Sequence, residues 1–209
     1  MTLIFEQELQ NFADLAVNVG VGLQAGQRLI VRAPVEGASL VRLIAASAYR
    51  AGARLVDVMW DDDAITLARF KYAPRHSFEE FPTWRTETLT QVAEAGDAIL
   101  SIYATDPDLL KDQDPDLVAQ TKRVADTHMR PFRRKLMSDA LNWSIISLPI
   151  PAWAAKVFPD DAPEEQMSKL WEVIFKICRV DQPDPLAAWR NHIKQLAATR
   201  DYLNAKQYT

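Results

Sequence analysis

The 209-residue sequence predicts an α/β fold: a three-layer, mostly parallel sheet of four or slightly more strands flanked by helices, with a helical C-terminal portion. Three observations lead there. A strand, a helix and a second strand follow one another between residues 28 and 60, the span of a βαβ unit. Short runs rich in Val, Ile and Leu alternate with stretches of helical periodicity. Beyond residue 160 only helical patterns occur.

Thr2 is placed to cap a first helix, on which Leu9, Phe12, Ala13, Ala16, Val17 and Leu23 keep roughly helical spacing. Ala25-Gly26-Gln27 ends it, and RLIVRA at 28–33 reads as a short buried strand stopped by Pro34, which cannot donate to a ladder. A helix over 37–51 carries Leu40, Val41, Ile44 and Ala48 on one face, and Gly52 stands where a left-handed cap is expected. RLVDVMW at 54–60 is the second strand, and a helical crossover between the two implies parallel pairing. A helix over 62–71, a loop with Pro74 and Pro82 and a helix ending near Ala95-Gly96 lead to the strand DAILSIY at 97–103.

Asp106-Pro107 and Asp114-Pro115 each combine a capping carboxylate with a proline suited to a helix start. After Asp114, the residues Leu117, Thr121, Val124, His128 and Phe132 form one stripe, and Pro131 is expected to kink or divide that helix. WSIISL at 143–148 is the fourth strand. The segment LPIPAWAAKVFPDDAPEEQ (148–166) then reads as a stiff joint whose prolines limit the freedom of the unfolded chain. Its Trp153, Val157 and Phe158 are too apolar for a solvated loop and are expected to pack on the sheet or on a further domain. Asp161 and Glu164 have capping-box spacing. Met167, Leu170, Trp171, Ile174, Phe175 and Cys178 follow as the clearest amphipathic pattern in the chain. Asp184-Pro185 opens a last helix with Leu186, Trp189, Ile193, Leu196 and Leu203 on one stripe.

A net charge of −4 and a pI near 5.4 argue against a nucleic-acid partner, which selects for a basic stripe. The single cysteine, Cys178, excludes an internal disulfide and a cysteine-rich zinc site. No apolar run reaches bilayer-spanning length, and the acidic N-terminus lacks the basic head of a signal peptide. The expectation is a cytoplasmic protein with no membrane partner.

Candidate chemistry is thin. Gly20, Gly22 and Gly26 have one residue too many for a dinucleotide fingerprint and precede a strand instead of following one. Asp61, Asp62 and Asp63 could crowd a cation, but consecutive carboxylates equally suit the N-terminus of the next helix, and no histidine is near in sequence. His76, His128 and His192 are scattered; His128 falls on an apolar stripe, as a core or half-buried histidine does, and His192 is expected to face solvent. Cys178 ends a stripe as a small core hydrophobe. Arg130, Arg133, Arg134 and Lys135 sit at a helix C-terminus, where cations are favoured. No nucleophile elbow is present.

The run GLQAGQRLIVRAPVEGASLVRLIAASAYRAGARLVDVMWDD (22–62), LPIPAWAAKVFPD (148–160) and KLWEVIFKICRVDQPDPLAAWRNH (169–192) together resemble the thermophilic metallo-aminopeptidase family, the aminopeptidase S, aminopeptidase T and PepS group. The resemblance runs in order along essentially the whole chain. It implies an N-terminal domain: residues 1–183 as the α/β unit and 184–209 as a terminal helix leading into a C-terminal catalytic domain beyond this chain. In the family that second domain holds paired divalent metals (Zn, Co or Mg) on glutamates, histidines and an aspartate. None of those ligand motifs matches a residue here, so the resemblance assigns this chain no catalytic and no metal residue. It implies a domain inactive alone that helps enclose the active-site cavity, with Pro149, Pro151, Trp153 and Phe158 on a cavity or interdomain surface. The implied partners are peptide substrates, the C-terminal catalytic domain and, for the full-length protein, a second copy. The alternative is a free-standing α/β module using the carboxyl edge of its sheet for a small ligand or a protein.

Overall fold

A computed structural model describes residues 3–138 and 141–206; Thr2, the expected first cap, lies outside the described residues. Strands β1 (Arg28–Pro34), β2 (Leu55–Asp61), β3 (Ala98–Tyr103) and β4 (Trp143–Ser147) pair in the order β2-β1-β3-β4, and every neighbouring pair is parallel. Parallel strands need crossovers and are covered on both faces, which is why these runs read as nearly continuous apolar stretches.

Alternation along β1 divides the interior in two. Leu29, Val31 and Ala33 face one core, which they share with Leu100 and Ile102 of β3. That layer is closed by α1 (Leu3–Leu15), α2 (Ala38–Arg50), α6 (Pro151–Val157) and α7 (Pro163–Ile177). Ile30 faces the other core with Ile99, covered by Leu89, Val92 and Ala93 of α4 (Thr83–Glu94) and Phe132 of α5 (Pro115–Leu136). Helix α3 (Asp63–Tyr72) buries no residue and lies at the β2 edge of the chain path. Gly52 adopts φ +94°, and a Cβ there would sit 3.0 Å from that of Ala25, so both conformation and space require glycine between α2 and β2.

Several local expectations are corrected. Helix α5 continues through Pro131 as one 22-residue element; the buried Phe132 beside it docks that turn on the second core. Of the stripe on α5 only Leu117 and Phe132 are buried. His128 is exposed, with its ring stacked on Phe81 at 4.9 Å. Asp106 caps no helix: it accepts from the Asp108 N–H at 2.9 Å and closes a turn, whereas Asp114 does cap α5 through the Asp116 N–H at 2.9 Å.

The joint after β4 contains a helix that its prolines disguise. Pro151 occupies the first turn of α6, where its missing N–H costs nothing. The capping box does not form. Pro163, with its fixed φ, takes the first helical position of α7 and makes Ala162 the cap, so Asp161 instead pairs with Lys169 at 2.8 Å. The amphipathic face of α7 is as expected, with Leu170, Ile174 and Phe175 buried. On α8 (Pro185–Lys206) only the first part of the stripe is used. Leu186 and Trp189 pack on the first core and the Trp189 indole donates to the Cys178 carbonyl at 2.6 Å, while Ile193, Leu196 and Leu203 are exposed.

Candidate binding site at the carboxyl edge of the sheet

From β1 the chain moves outward to β2 and then returns to the other side of β1 for β3. The direction of winding reverses between β1 and β3, which opens a crevice beyond their carboxyl ends, the usual ligand position in open α/β sheets. A cavity of about 270 Å³ lies there, bordered by Arg32, Asp61, Asp63, Ser101, Tyr103 and Thr105.

Arg32 continues the face of β1 that carries Ile30, and it is paired in register with Met59 and Ser101. The apolar layer formed by Ile30 and Ile99 ends at this level. The half-buried guanidinium makes no hydrogen bond or ion pair among the described residues. Burial pushes its pKa down; the Asp61 charge opposes that, and Arg85 and Arg133 add to it. On its other side Arg32 borders a second hollow of about 410 Å³ with Arg85 and Arg133.

The three consecutive aspartates diverge. Asp61 pairs with Arg85, which also donates to the Trp60 carbonyl at 3.0 Å. Asp62 caps α3 through the Ala64 N–H at 2.7 Å. Asp63 accepts from the Asp106 N–H at 3.2 Å and so holds the loop after β3 against the start of α3. Asp62 serves the helix terminus, whereas Asp61 and Asp63 border the same cavity without a third acidic, histidine or cysteine ligand beside them among the described residues. Among the described residues no group of three or more His, Cys, Asp or Glu side chains gathers as metal ligands. The described residues therefore offer no donor set suited to the paired divalent metals that the family resemblance implies.

The remaining candidates are also dispersed. His76 lies in a short turn of 3₁₀ helix, and His192 packs edge-on against Trp189 at 5.5 Å instead of standing free in solvent. Burial raises the Cys178 thiol pKa, which makes it a poor nucleophile. In the basic cluster, Arg133 pairs with Asp126 at 2.7 Å and Lys135 with Glu94 at 3.1 Å, as a solvated helix end does. Of the four residues expected on a cavity or interdomain surface, Pro149 is buried, Pro151 is exposed, and Trp153 and Phe158 are half-buried against the first core. All four follow the carboxyl end of β4, and none lines the cavity at Arg32. Lys156 of α6 ties this segment to the loop after β3 through Asp108 at 2.8 Å.

Sequence reasoning passed over Arg32. The available signal was a cation inside the run RLIVRA, where a buried parallel strand otherwise excludes charge.

Comparison with known proteins decides the family. The model described as thermophilic metalloprotease (M29) matches residues 5–209. The chain belongs to this family. Among M29 relatives, Aminopeptidase 2 of Geobacillus stearothermophilus is 50% identical over 204 residues, covering 98% of this chain and 49% of the relative. Aminopeptidase AmpS of Bacillus subtilis (strain 168) is 38% identical, with 98% and 50% covered. The solved structure of wild-type AmpT from Thermus thermophilus superposes with a TM-score of 0.90 at 33% identity, over 98% of this chain and 50% of that one. The chain thus spans about half the length of the M29 relatives it matches. Both the family resemblance and the parallel α/β architecture expected from the sequence are shown.

Proposed function

We propose that this chain is the N-terminal domain of a metal-dependent aminopeptidase that removes N-terminal amino acids from peptides. In this reading it helps enclose the active-site cavity, and the metal ligands and bond-breaking groups belong to a second domain. One observation carries the reading: the whole chain matches half of several proteins named aminopeptidases. The dispersed histidines and aspartates described above support it, because two-metal hydrolysis needs convergent ligands to activate water and polarise a carbonyl.

The proposed division places the α/β unit at 1–183 and the connecting helix at 184–209. A first core that extends from Leu9 to Val180 supports it, as do the exposed Ile193, Leu196 and Leu203 farther along α8. Those residues, with Pro151, Trp153 and Phe158, form the proposed surface toward the catalytic domain; Pro149, expected there too, is buried within this chain. The reading includes Zn, Co or Mg in that second domain, a homodimer of the full-length enzyme and a cytoplasmic location. The last draws on the single cysteine, and among the described residues no helix is long and apolar enough to cross a membrane. A free-standing small-ligand module is the second reading, favoured by the cavity at Arg32.

Aminoacyl-p-nitroanilides with added Co²⁺ or Zn²⁺ test the proposal. The purified 209-residue chain is expected to release nitroaniline no faster than metal in buffer. Saturable, metal-dependent turnover by this chain overturns the placement of catalysis elsewhere.

A further inference from the structure

We propose that the carboxyl-edge cavity binds a small zwitterion, a free α-amino acid with an apolar side chain, with its carboxylate on the Arg32 guanidinium and its ammonium facing Asp63 and Asp61. The inference stands on the cavity and does not depend on the peptidase reading.

The first ground is the unpartnered cation. A guanidinium presents a fork of donors matched to a carboxylate, and a half-buried one without a protein partner has only part of its hydration and no bound counter-charge. Arg32 is in that state, although Asp61 lies near enough to influence its charge. Asp61 is already committed to Arg85. A second oxyanion, brought by a ligand, satisfies Arg32 without breaking that pair.

The second ground is the mixed sign of the wall. Asp63 uses one carboxylate oxygen, Oδ2, for the Asp106 N–H, and its other oxygen has no hydrogen-bond partner among the described residues; the same holds for Oδ2 of Asp61. A phosphate would meet these carboxylates, and a bare cation would meet Arg32. Each single-sign ligand is opposed by one side of the cavity. A molecule with both charges on one carbon is opposed by neither.

The third ground is size and lining. Drug-sized ligands occupy pockets of about 300–1,000 Å³, and about 270 Å³ is suited to something smaller. The hydroxyls of Ser101 and Thr105 make no hydrogen bond among the described residues and can meet the polar end of the ligand. Ile102, Ala104 and Ile145 supply an apolar wall for its side chain.

The experiment is calorimetric titration of the 209-residue chain with L-leucine, N-acetyl-leucine, leucinamide and inorganic phosphate. Leucine is expected to bind saturably, with the acetyl and amide forms at least about tenfold weaker, because each leaves one charged side of the cavity without its counter-charge. R32Q should abolish leucine binding and R32K should retain part of it. D63N should weaken leucine while leaving N-acetyl-leucine unchanged. Thermal melts verify that each variant is folded; where R32Q is not, the ligand series on the unmodified chain decides. Leucine no tighter than its acetyl or amide form overturns the proposal, as does leucine binding unchanged in folded R32Q. Phosphate binding tighter than leucine also overturns it and leaves a simple anion site.

Discussion

Replacing Asp97 by alanine is expected to destabilise the protein by about 2–3 kcal/mol, at or just below the bottom of the range for breaking a fully buried charge pair. Asp97 is 3% exposed and sits just before β3. Its Oδ1 accepts from the Arg28 N–H at 2.8 Å, and its carboxylate pairs with Arg28 at 3.1 Å and Arg54 at 3.0 Å. One side chain thereby fixes the entrances of β1, β2 and β3, and with them the level at which the three strands begin. Alanine leaves the Arg28 N–H without its acceptor and two cations without their counter-charge. The exposure of Arg54 limits the loss, since water recovers part of its solvation. D97N keeps an acceptor for the Arg28 N–H and should cost less. Urea unfolding checks the order: midpoints falling from the natural protein to D97N to D97A, with unchanged m.

The same residue predicts a pH dependence. Burial alone would raise the Asp97 pKa, but the Arg28 N–H and the Arg54 guanidinium outweigh it and hold the carboxyl below its ordinary value of 3.8. A depressed pKa in the folded state means that the contribution is complete above 3.8 and disappears as pH falls through the folded value. The stability difference between the natural protein and D97N should therefore be constant near neutrality and narrow below pH 3.8.

Phe12→Ala should cost about 3–5 kcal/mol, the usual range for emptying a buried phenylalanine site. Phe12 is 1% exposed on α1, with its ring 6.3 Å from that of Trp171 and 6.0 Å from that of Phe175, both on α7. The cavity would open between elements drawn from opposite ends of the chain. If α1 and α7 belong to one core, tryptophan fluorescence and far-ultraviolet circular dichroism should shift to the same lower midpoint in a single transition. Two transitions, with only one moved, would show that the C-terminal helices fold apart from the sheet.

Much of the architecture is readable from the sequence, because buried parallel strands and the α7 stripe carry strong period signals. The apolar run at 28–33, the glycine at 52 and the spacing from Met167 to Cys178 each correspond to an observed element. The misses share a cause, since each depends on which of two local rules prevails. Pro151 and Pro163 look like breakers and act as helix starters; Pro163 also moves the α7 cap off Asp161. Asp106-Pro107 and Asp114-Pro115 are the same dipeptide, and only the second precedes a segment able to bury a helical face, through Leu117.

The cavity was less accessible. Arg32, Asp61, Asp63 and Ser101 come from three strands and a helix start, and strand order, which sequence periodicity does not encode, is what gathers them. The reading of Asp61–Asp63 as serving a helix terminus does hold at Asp62, because capping is a local interaction between near neighbours.

The central claim, that this chain supplies one domain of an aminopeptidase and not its chemistry, is tested most directly by a chimera. Residues 1–209 would be joined to the part of the Geobacillus stearothermophilus Aminopeptidase 2 that the 204-residue match leaves uncovered. Metal-dependent hydrolysis of an aminoacyl-p-nitroanilide would then be measured for the chimera, its parent and the 209-residue chain. The account predicts no turnover from the chain alone and turnover from the chimera within about a hundredfold of the parent, the loss expected from small misplacement across a foreign interface. Turnover by the chain alone, or a folded, metal-loaded chimera that leaves the substrate intact, would contradict it.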